Sequence, residues 1–156
     1  MATSVHGIHH VTAIAGNPQE NLNFYSGVLG LRLVKKSVNQ DVIDTYHLFY
    51  ADSAGSPGTD LTFFPWPDME PARLGVGFTV EVPFAIPQGS LAYWQARLPA
   101  AGVPTGPLET RFGETVLPFR DPSNGDVDHW RTSARKLAIS LSPPSVPYDS
   151  GWNWMP

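Results

Sequence analysis

Hydrophobic and polar side chains alternate near the start of the chain, in the run from Gly7 to Ile14, which also carries two adjacent histidines. Successive side chains of a β-strand point to opposite faces, so one histidine is expected on each face. One face would carry Ile8, His10, Thr12 and Ile14, and the other would carry His9, Val11 and Ala13. If the second face packs onto a helix, His10 points to the opposite side, toward a possible cavity.

The next segment has the pattern of an amphipathic helix. Asn17 suits the N-cap, Pro18 suits the first helical position, and Glu20 is placed to reach back to the cap. Apolar residues then recur at helical spacing, at Leu22, Tyr25, Val28 and Leu29. Gly30 is placed to end the helix in the left-handed conformation. We expect this helix to cover the face of the first strand that lies opposite His10.

The remaining apolar segments suggest that one order of elements occurs twice. The first half is predicted to continue with strands over 31–38, 44–51 and 60–64. The second half is predicted to contain a strand over 74–82, a helix from Ser90 with a stripe at Leu91, Trp94 and Leu98, a break over 99–107, and strands over 108–112, 114–120 and 126–131. We therefore predict one α+β domain over 1–132, made of two βαβββ modules at about 7–66 and 74–131. A tail rich in proline and serine, 133–156, has no place in the repeat.

Composition narrows the functional classes. The formal net charge is −4 with ten basic residues and no Lys/Arg cluster, which argues against binding to nucleic acid or to an anionic membrane surface. The chain has no cysteine, which excludes disulfides, thiolate metal sites and a cysteine nucleophile. It has neither a long apolar run nor the pattern of a signal peptide, so a cytoplasmic location is expected.

Several motifs together resemble a known family. They are His9–Thr12, Phe24–Tyr25, Leu29–Lys36, Asn39–Asp41, Tyr46–Tyr50, Pro57–Thr59 and Thr62–Pro65. As a set they resemble the N-terminal half of the ring-cleaving, hydroquinone-type dioxygenases of the vicinal oxygen chelate superfamily, also called glyoxalase family proteins. The resemblance covers about residues 7–122.

The resemblance implies a fold and a metal. Paired modules of this superfamily curl their mixed sheets into a cup, with the helices outside. A divalent metal, usually Fe(II) in this group, is held by two histidines and one glutamate. His10 matches the ligand in the first strand, and the family's other two ligands come from the C-terminal half, which this chain lacks. Such a triad leaves coordination positions open for a dihydroxylated aromatic and dioxygen.

Other residues are candidates for supporting roles. His9 and His47 are candidates for contact with a metal ligand or a substrate, although His47 would also fit simple packing beside Tyr46 and Phe49. His129 is an additional metal-ligand candidate in the fourth strand of module two. The aromatic residues expected to line the cup are Tyr46, Phe49, Tyr50, Phe63 and Phe64.

Two functions from different classes follow. The first is a metal-dependent ring-cleaving dioxygenase of hydroquinone- or catechol-like aromatics, or a truncated half of one with an incomplete metal site. The second is a metal-free module of the bleomycin-resistance type that binds a flat aromatic ligand. In both cases a homodimer is expected, because a half-cup exposes an apolar face and sheet edges. Since the resemblance fades after Pro122, we expect a shift of reading frame between 123 and 130.

Overall fold

The computed structural model describes residues 7–69, 76, 81–121 and 131–132. In chain order, its elements are β1 (His10–Ala15), α1 (Pro18–Leu22), a π-helical segment (Asn23–Val28), β2 (Arg32–Val38), β3 (Tyr46–Ala51), β4 (Asp60–Pro65), α2 (Leu91–Ala100), β5 (Glu109–Arg111), β6 (Glu114–Val116), β7 (Phe119–Arg120) and β8 (Arg131–Thr132). None of the described helices has the length and apolar character needed to cross a membrane.

The four strands of the first half form one mixed sheet in the order β1-β4-β3-β2. β1 runs parallel to β4, with His10 opposite Asp60 and Ala15 opposite Pro65. The other two pairings are antiparallel, and the pairing of β2 with β3 contains an irregularity between Leu33 and Lys35. The predicted α+β class with a curled mixed sheet is confirmed.

The helix after β1 begins as the sequence predicts and then changes type. The Asn17 side chain accepts hydrogen bonds from the backbone N–H groups of Gln19 and Glu20, at 2.8 and 3.2 Å. The chain ends its helical path at Gly30, which has a φ of 77°. From Asn23 to Val28, however, the helix is π-helical, a wider turn that buries the adjacent rings of Phe24 and Tyr25 together.

One hydrophobic cluster joins the two halves of the chain. The first half contributes Ala13, Ala15, Leu22, Phe24, Tyr25, Leu48, Tyr50, Leu61 and Phe63, among others. The second half contributes Phe84, Trp94, Leu98, Val103, Leu117 and Phe119. The core therefore lies between the first-half sheet with its helix and the elements that follow residue 81.

Two polar contacts also tie the halves together. The Tyr25 hydroxyl donates to the Asp121 carboxylate at 2.7 Å, and both residues are buried. Burial, followed by the charge of Asp121, raises the pKa of Tyr25 well above 10.0, so its hydroxyl remains a donor. The Arg97 guanidinium of α2 donates to the carbonyl oxygens of Gly27 and Val28 at the end of the π-helical segment, both at 2.7 Å.

The second half departs from its predicted pattern in places. The helix from Leu91 buries Trp94 and Leu98 as expected, but it includes Pro99, where a break was predicted, and ends at Ala100. The predicted strand over 114–120 is two strands, because Leu117 and Pro118 interrupt it. Most of the predicted strand over 74–82, positions 126–130 of the last strand and the tail lie outside the described residues.

Candidate functional site

Strand register places His10 on the face of the sheet opposite the core. Thr12 and Ile14 follow His10 on this face of β1, and all three residues are exposed, whereas Ala13 and Ala15 are buried on the other face. The predicted alternation along β1 is thus confirmed. The register adds Asp60, Thr62 and Phe64 from β4, His47 and Phe49 from β3, and Lys35 from β2 to the same side. We call these nine residues the His10 face.

The structure brings His9 and His10 together, although simple alternation would separate them. Their Nδ1 atoms lie 3.1 Å apart, and the rings meet edge to face with centroids 5.3 Å apart. His9 precedes β1, so the strand ladder does not fix its side chain on the opposite face. Its Nδ1 also lies 3.7 Å from an Asp60 carboxylate oxygen. A hydrogen bond needs one donor and one acceptor, so one of these two Nδ1 atoms donates and the other accepts.

The donor groups near His10 do not by themselves fit the metal that the resemblance implies. A neutral imidazole is a suitable ligand for Fe(II). Within the part of the chain that the structure describes, however, no three His, Cys, Asp or Glu residues form a group able to hold a metal ion. His129, the additional ligand candidate, lies outside the described residues.

His47 occupies the middle of the His10 face and has defined neighbours on three sides. Its ring lies between those of Phe49 and Phe64, with centroid distances of 4.0 and 4.2 Å. Its Nε2 is 3.1 Å from the Thr62 hydroxyl, which donates to the Thr12 hydroxyl at 2.8 Å. Desolvation, followed by the nearby charges of His10 and Lys35, lowers the pKa of His47 from 6.5.

The five aromatic residues expected to line the cup fall on both faces of the sheet. Phe49 and Phe64 lie on the His10 face. Tyr50 and Phe63 are 0% and 1% exposed and belong to the core on the other face, so the expectation that they line the cup is corrected. Tyr46 packs against the core from that second face, with the Lys36 ammonium 4.1 Å from its ring centroid. Successive side chains of a strand point to opposite faces, so Tyr46 and Tyr50 of β3 lie on one face and Phe49 lies on the other.

Beyond the His10 face, Trp66 lies next to Phe64, with its ring centroid 5.7 Å from that of Phe64. Two contacts within the face were not predicted from the sequence. Lys35 places its ammonium 5.4 Å from the centroid of Phe49. Thr12 was identifiable from alternation with His10, but its bond to Thr62 depends on the parallel register of β1 and β4, which the sequence does not reveal.

Comparison with known proteins gives a consistent result. The sequence model of one family, described as "Glyoxalase/Bleomycin resistance protein/Dioxygenase superfamily", matches residues 7–127. A Bacillus subtilis (strain 168) protein named "Putative ring-cleaving dioxygenase MhqO" is 48% identical over 122 residues, which cover 78% of this chain and 39% of that protein. The chlorohydroquinone/hydroquinone 1,2-dioxygenase of Sphingobium indicum is 34% identical over 123 residues, covering 78% of this chain and 38% of that protein.

Solved structures agree. A crystal structure of a "putative dioxygenase" from Bacillus subtilis superposes with a TM-score of 0.79 and 41% identity, covering 93% of this chain and 46% of that one. The fosfomycin resistance protein FosX of Listeria monocytogenes, a mutant complexed with Mn(II), has a TM-score of 0.60 at 17% identity, covering 86% of this chain and 96% of that one, and shows likeness of fold alone. The chain thus spans about two fifths of the length of the curated relatives it matches.

Proposed function

Because the chain belongs to the Glyoxalase/Bleomycin resistance protein/Dioxygenase superfamily, we propose that it forms part of a metal-dependent dioxygenase that cleaves the ring of hydroquinone- or catechol-like aromatics. One observation carries this proposal. His10, the residue that matches the family's first metal ligand, lies on a sheet face opposite the core and shares that face with aromatic rings. The named dioxygenase relatives support the same reaction class.

The chemistry of the His10 face suits a phenolic substrate. The partly exposed rings of Phe49 and Phe64 offer flat apolar surfaces against which an aromatic ring can stack. Lys35, at the edge of this surface, places a positive charge beside Phe49. A phenol that loses its proton becomes an anion, and a nearby ammonium stabilises that anion. These residues would therefore bind the ring and favour ionisation of one of its two hydroxyl groups.

The described residues do not complete a metal site, so we propose that the remaining ligands lie outside them and that a second copy of the chain closes the cup. His10 would supply one ligand to Fe(II) or another divalent metal, and the bound metal would supply the oxygen chemistry. The exposed His10 and Ile14 of β1 belong to a surface that a second set of modules would cover. Sedimentation at micromolar concentration is expected to give a dimer, and a monomer would contradict this part of the proposal.

Metal content and oxygen uptake test the activity. Protein purified without oxygen and loaded with Fe(II) is expected to retain about one metal per closed cup and to consume oxygen when hydroquinone is added. His10→Ala should lose both properties. Ile43→Ala, at a position 78% exposed between β2 and β3, serves as the matched control and should keep both. Metal far below that stoichiometry together with no oxygen uptake would refute the proposal.

A metal-free binding module is the second candidate, and the aromatic row favours it. Phe49, His47, Phe64 and Trp66 lie ring beside ring, with successive centroid distances of 4.0, 4.2 and 5.7 Å. Such a row can hold a flat aromatic ligand by stacking and burial of apolar surface. If this function is the correct one, ligand affinity will be unchanged by a chelator and by His10→Ala. Loss of affinity after either treatment would favour the dioxygenase.

A further inference from the structure

The hydrogen bonds around His47 indicate which of its ring nitrogens carries the proton. The Thr62 hydroxyl has one proton and donates it to the Thr12 hydroxyl at 2.8 Å. Thr62 can therefore only accept in its second contact, the one of 3.1 Å with His47 Nε2. This arrangement assigns the proton to Nε2 and leaves Nδ1 of the neutral ring as an acceptor.

The neighbouring rings also fix the orientation of this imidazole. Phe49 and Phe64 lie on either side of it, at centroid distances of 4.0 and 4.2 Å, each inclined by 37°. Thr62, which anchors Nε2, is 0% exposed and belongs to the central pair of strands, so the anchor is rigid. Within the described residues, Nδ1 has no hydrogen-bond partner. Nδ1 is thus an oriented acceptor on the face that carries His10.

From this geometry we infer that His47 is a specificity-determining residue whose Nδ1 accepts a hydrogen bond from a hydroxyl group on the aromatic ring of the ligand. A ring that stacks on Phe49 and Phe64 brings its substituents to the same surface as Nδ1. An aryl hydroxyl donates a hydrogen bond there, whereas an aryl ether has no proton to donate. The inference deepens the proposed dioxygenase function and rests on it for the identity of the ligand class.

The lowered pKa of His47 is consistent with this role. Burial and the charges of His10 and Lys35 lower the pKa of His47, which keeps its ring neutral near pH 7. A neutral ring accepts a hydrogen bond at Nδ1, whereas an imidazolium would only donate. We therefore assign His47 recognition of the hydroxyl group, without transfer of its proton.

Four variants separate this role from a structural one. His47→Asn retains an acceptor near the position of Nδ1, and His47→Gln instead retains a polar group near Nε2. Thr62→Val removes the acceptor that fixes the tautomer with little change of shape, and Thr62→Ser restores it. Folding of each variant is verified by its thermal unfolding, and Thr62→Ser keeps the test valid if Thr62→Val is poorly folded.

The experiment uses 15N-labelled protein kept without oxygen, so that no turnover contributes. Long-range 1H–15N spectra are expected to show a protonated Nε2 and an unprotonated Nδ1 in the wild type and in Thr62→Ser, and a mixture of tautomers in Thr62→Val. Hydroquinone and 1,4-dimethoxybenzene are then titrated as probes. We expect His47→Gln to weaken hydroquinone binding roughly three- to tenfold, the value of one neutral hydrogen bond, and to leave the diether unchanged. His47→Asn should recover most of the loss.

Three results would overturn the inference: a wild-type His47 protonated at Nδ1, an equal loss of affinity for both probes, or the lack of saturable hydroquinone binding. The proposed dioxygenase function fails on a different readout, since it requires oxygen uptake by the Fe(II)-loaded protein. If the tautomer and the selectivity for hydroquinone are as expected while oxygen uptake is absent, only the dioxygenase function is wrong.

Discussion

The buried hydrogen bond from Tyr25 to the charged Asp121 carboxylate should contribute more to stability than the neighbouring hydrogen bond from Tyr50 to the uncharged Asn21 side chain. In Tyr25→Phe the hydroxyl that donates to the Asp121 carboxylate at 2.7 Å is lost. In Tyr50→Phe a hydroxyl that donates to the neutral Asn21 side chain at 2.8 Å is lost. The two rings belong to one core, with centroids 5.4 Å apart, so the variants form a matched pair.

The charge of the acceptor sets the size of the difference in stability between the two variants. A hydrogen bond to a charged group contributes about 1.5–3 kcal/mol, against about 0.5–1.5 kcal/mol for a neutral one. With a urea m-value of about 2 kcal/mol/M, the unfolding midpoint should fall by roughly 1 M for Tyr25→Phe and by roughly 0.5 M for Tyr50→Phe. Since Asp121 is 5% exposed, water cannot fully replace the lost donor.

Urea unfolding followed by circular dichroism and fluorescence measures both midpoints, with equal m-values as the condition for comparing them. A double-mutant cycle with Asp121→Asn, which keeps an amide oxygen as acceptor, then isolates the contribution of the charge, and we expect a coupling of about 1 kcal/mol. A coupling of less than about 0.5 kcal/mol, or a larger loss in Tyr50→Phe than in Tyr25→Phe, would refute the reasoning.

Three further changes have defined outcomes. The backbone N–H groups of Ser56 and Ala54 donate to the Asp52 carboxylate and lower its pKa from 3.8, with Ser56 contributing most. The stability that this carboxylate provides is present above pH 3.8 and is lost as the pH falls through the lower pKa of the folded state. The free energies of unfolding of the wild type and Asp52→Asn should therefore converge in acid, and a constant difference between them would contradict this. Arg97→Met removes two hydrogen bonds to the end of the π-helical segment and should lower the free energy of unfolding by about 1 kcal/mol. Arg97→Lys should recover part of this loss, and an Arg97→Met variant as stable as the wild type would show that the two bonds contribute nothing. Gly58→Ala should lower the free energy of unfolding by more than the about 1–2 kcal/mol expected from positive φ alone, because the new Cβ would lie 3.3 Å from the Ile8 carbonyl oxygen. Gly89→Ala, at a similar φ but with no atom within 4 Å of its Cβ, measures the cost of φ by itself. Equal losses of stability in the two variants would show that the close contact has no effect.

Local patterns gave the strands and the helix start of the first half correctly because each of these features depends on a few neighbouring residues. Alternation along β1, the Asn17 cap and the left-handed Gly30 are all properties of a few neighbouring residues. The π-helical segment was missed because apolar spacing does not distinguish a π-turn from an α-turn when Phe24 and Tyr25 are both buried.

The candidate site was harder to predict because it depends on which strands are neighbours. Alternation put one histidine on each face, and the family resemblance selected His10 for the open side. Grouping all five aromatic residues ignored the fact that Tyr50 and Phe63 have the opposite parity to their neighbours Phe49 and Phe64. The contact of His47 with Thr62 requires the pairing of β3 with β4, and that of Thr62 with Thr12 requires the parallel pairing of β4 with β1. Such pairings depend on contacts between distant parts of the chain.

The parallel pairing of β1 with β4 has a consequence for synthesis of the protein. The partner of His10 is Asp60, so β1 cannot form its ladder until 50 more residues have been made. At a rate of about 5–20 residues per second, the ribosome takes roughly 3–10 s to supply that strand. During this interval the strand that carries the first metal-ligand candidate is an unpaired, β-branched segment of a nascent chain. The strand needed for the proposed chemistry is therefore made first and cannot join the sheet before β4, the last strand of that sheet, has been made.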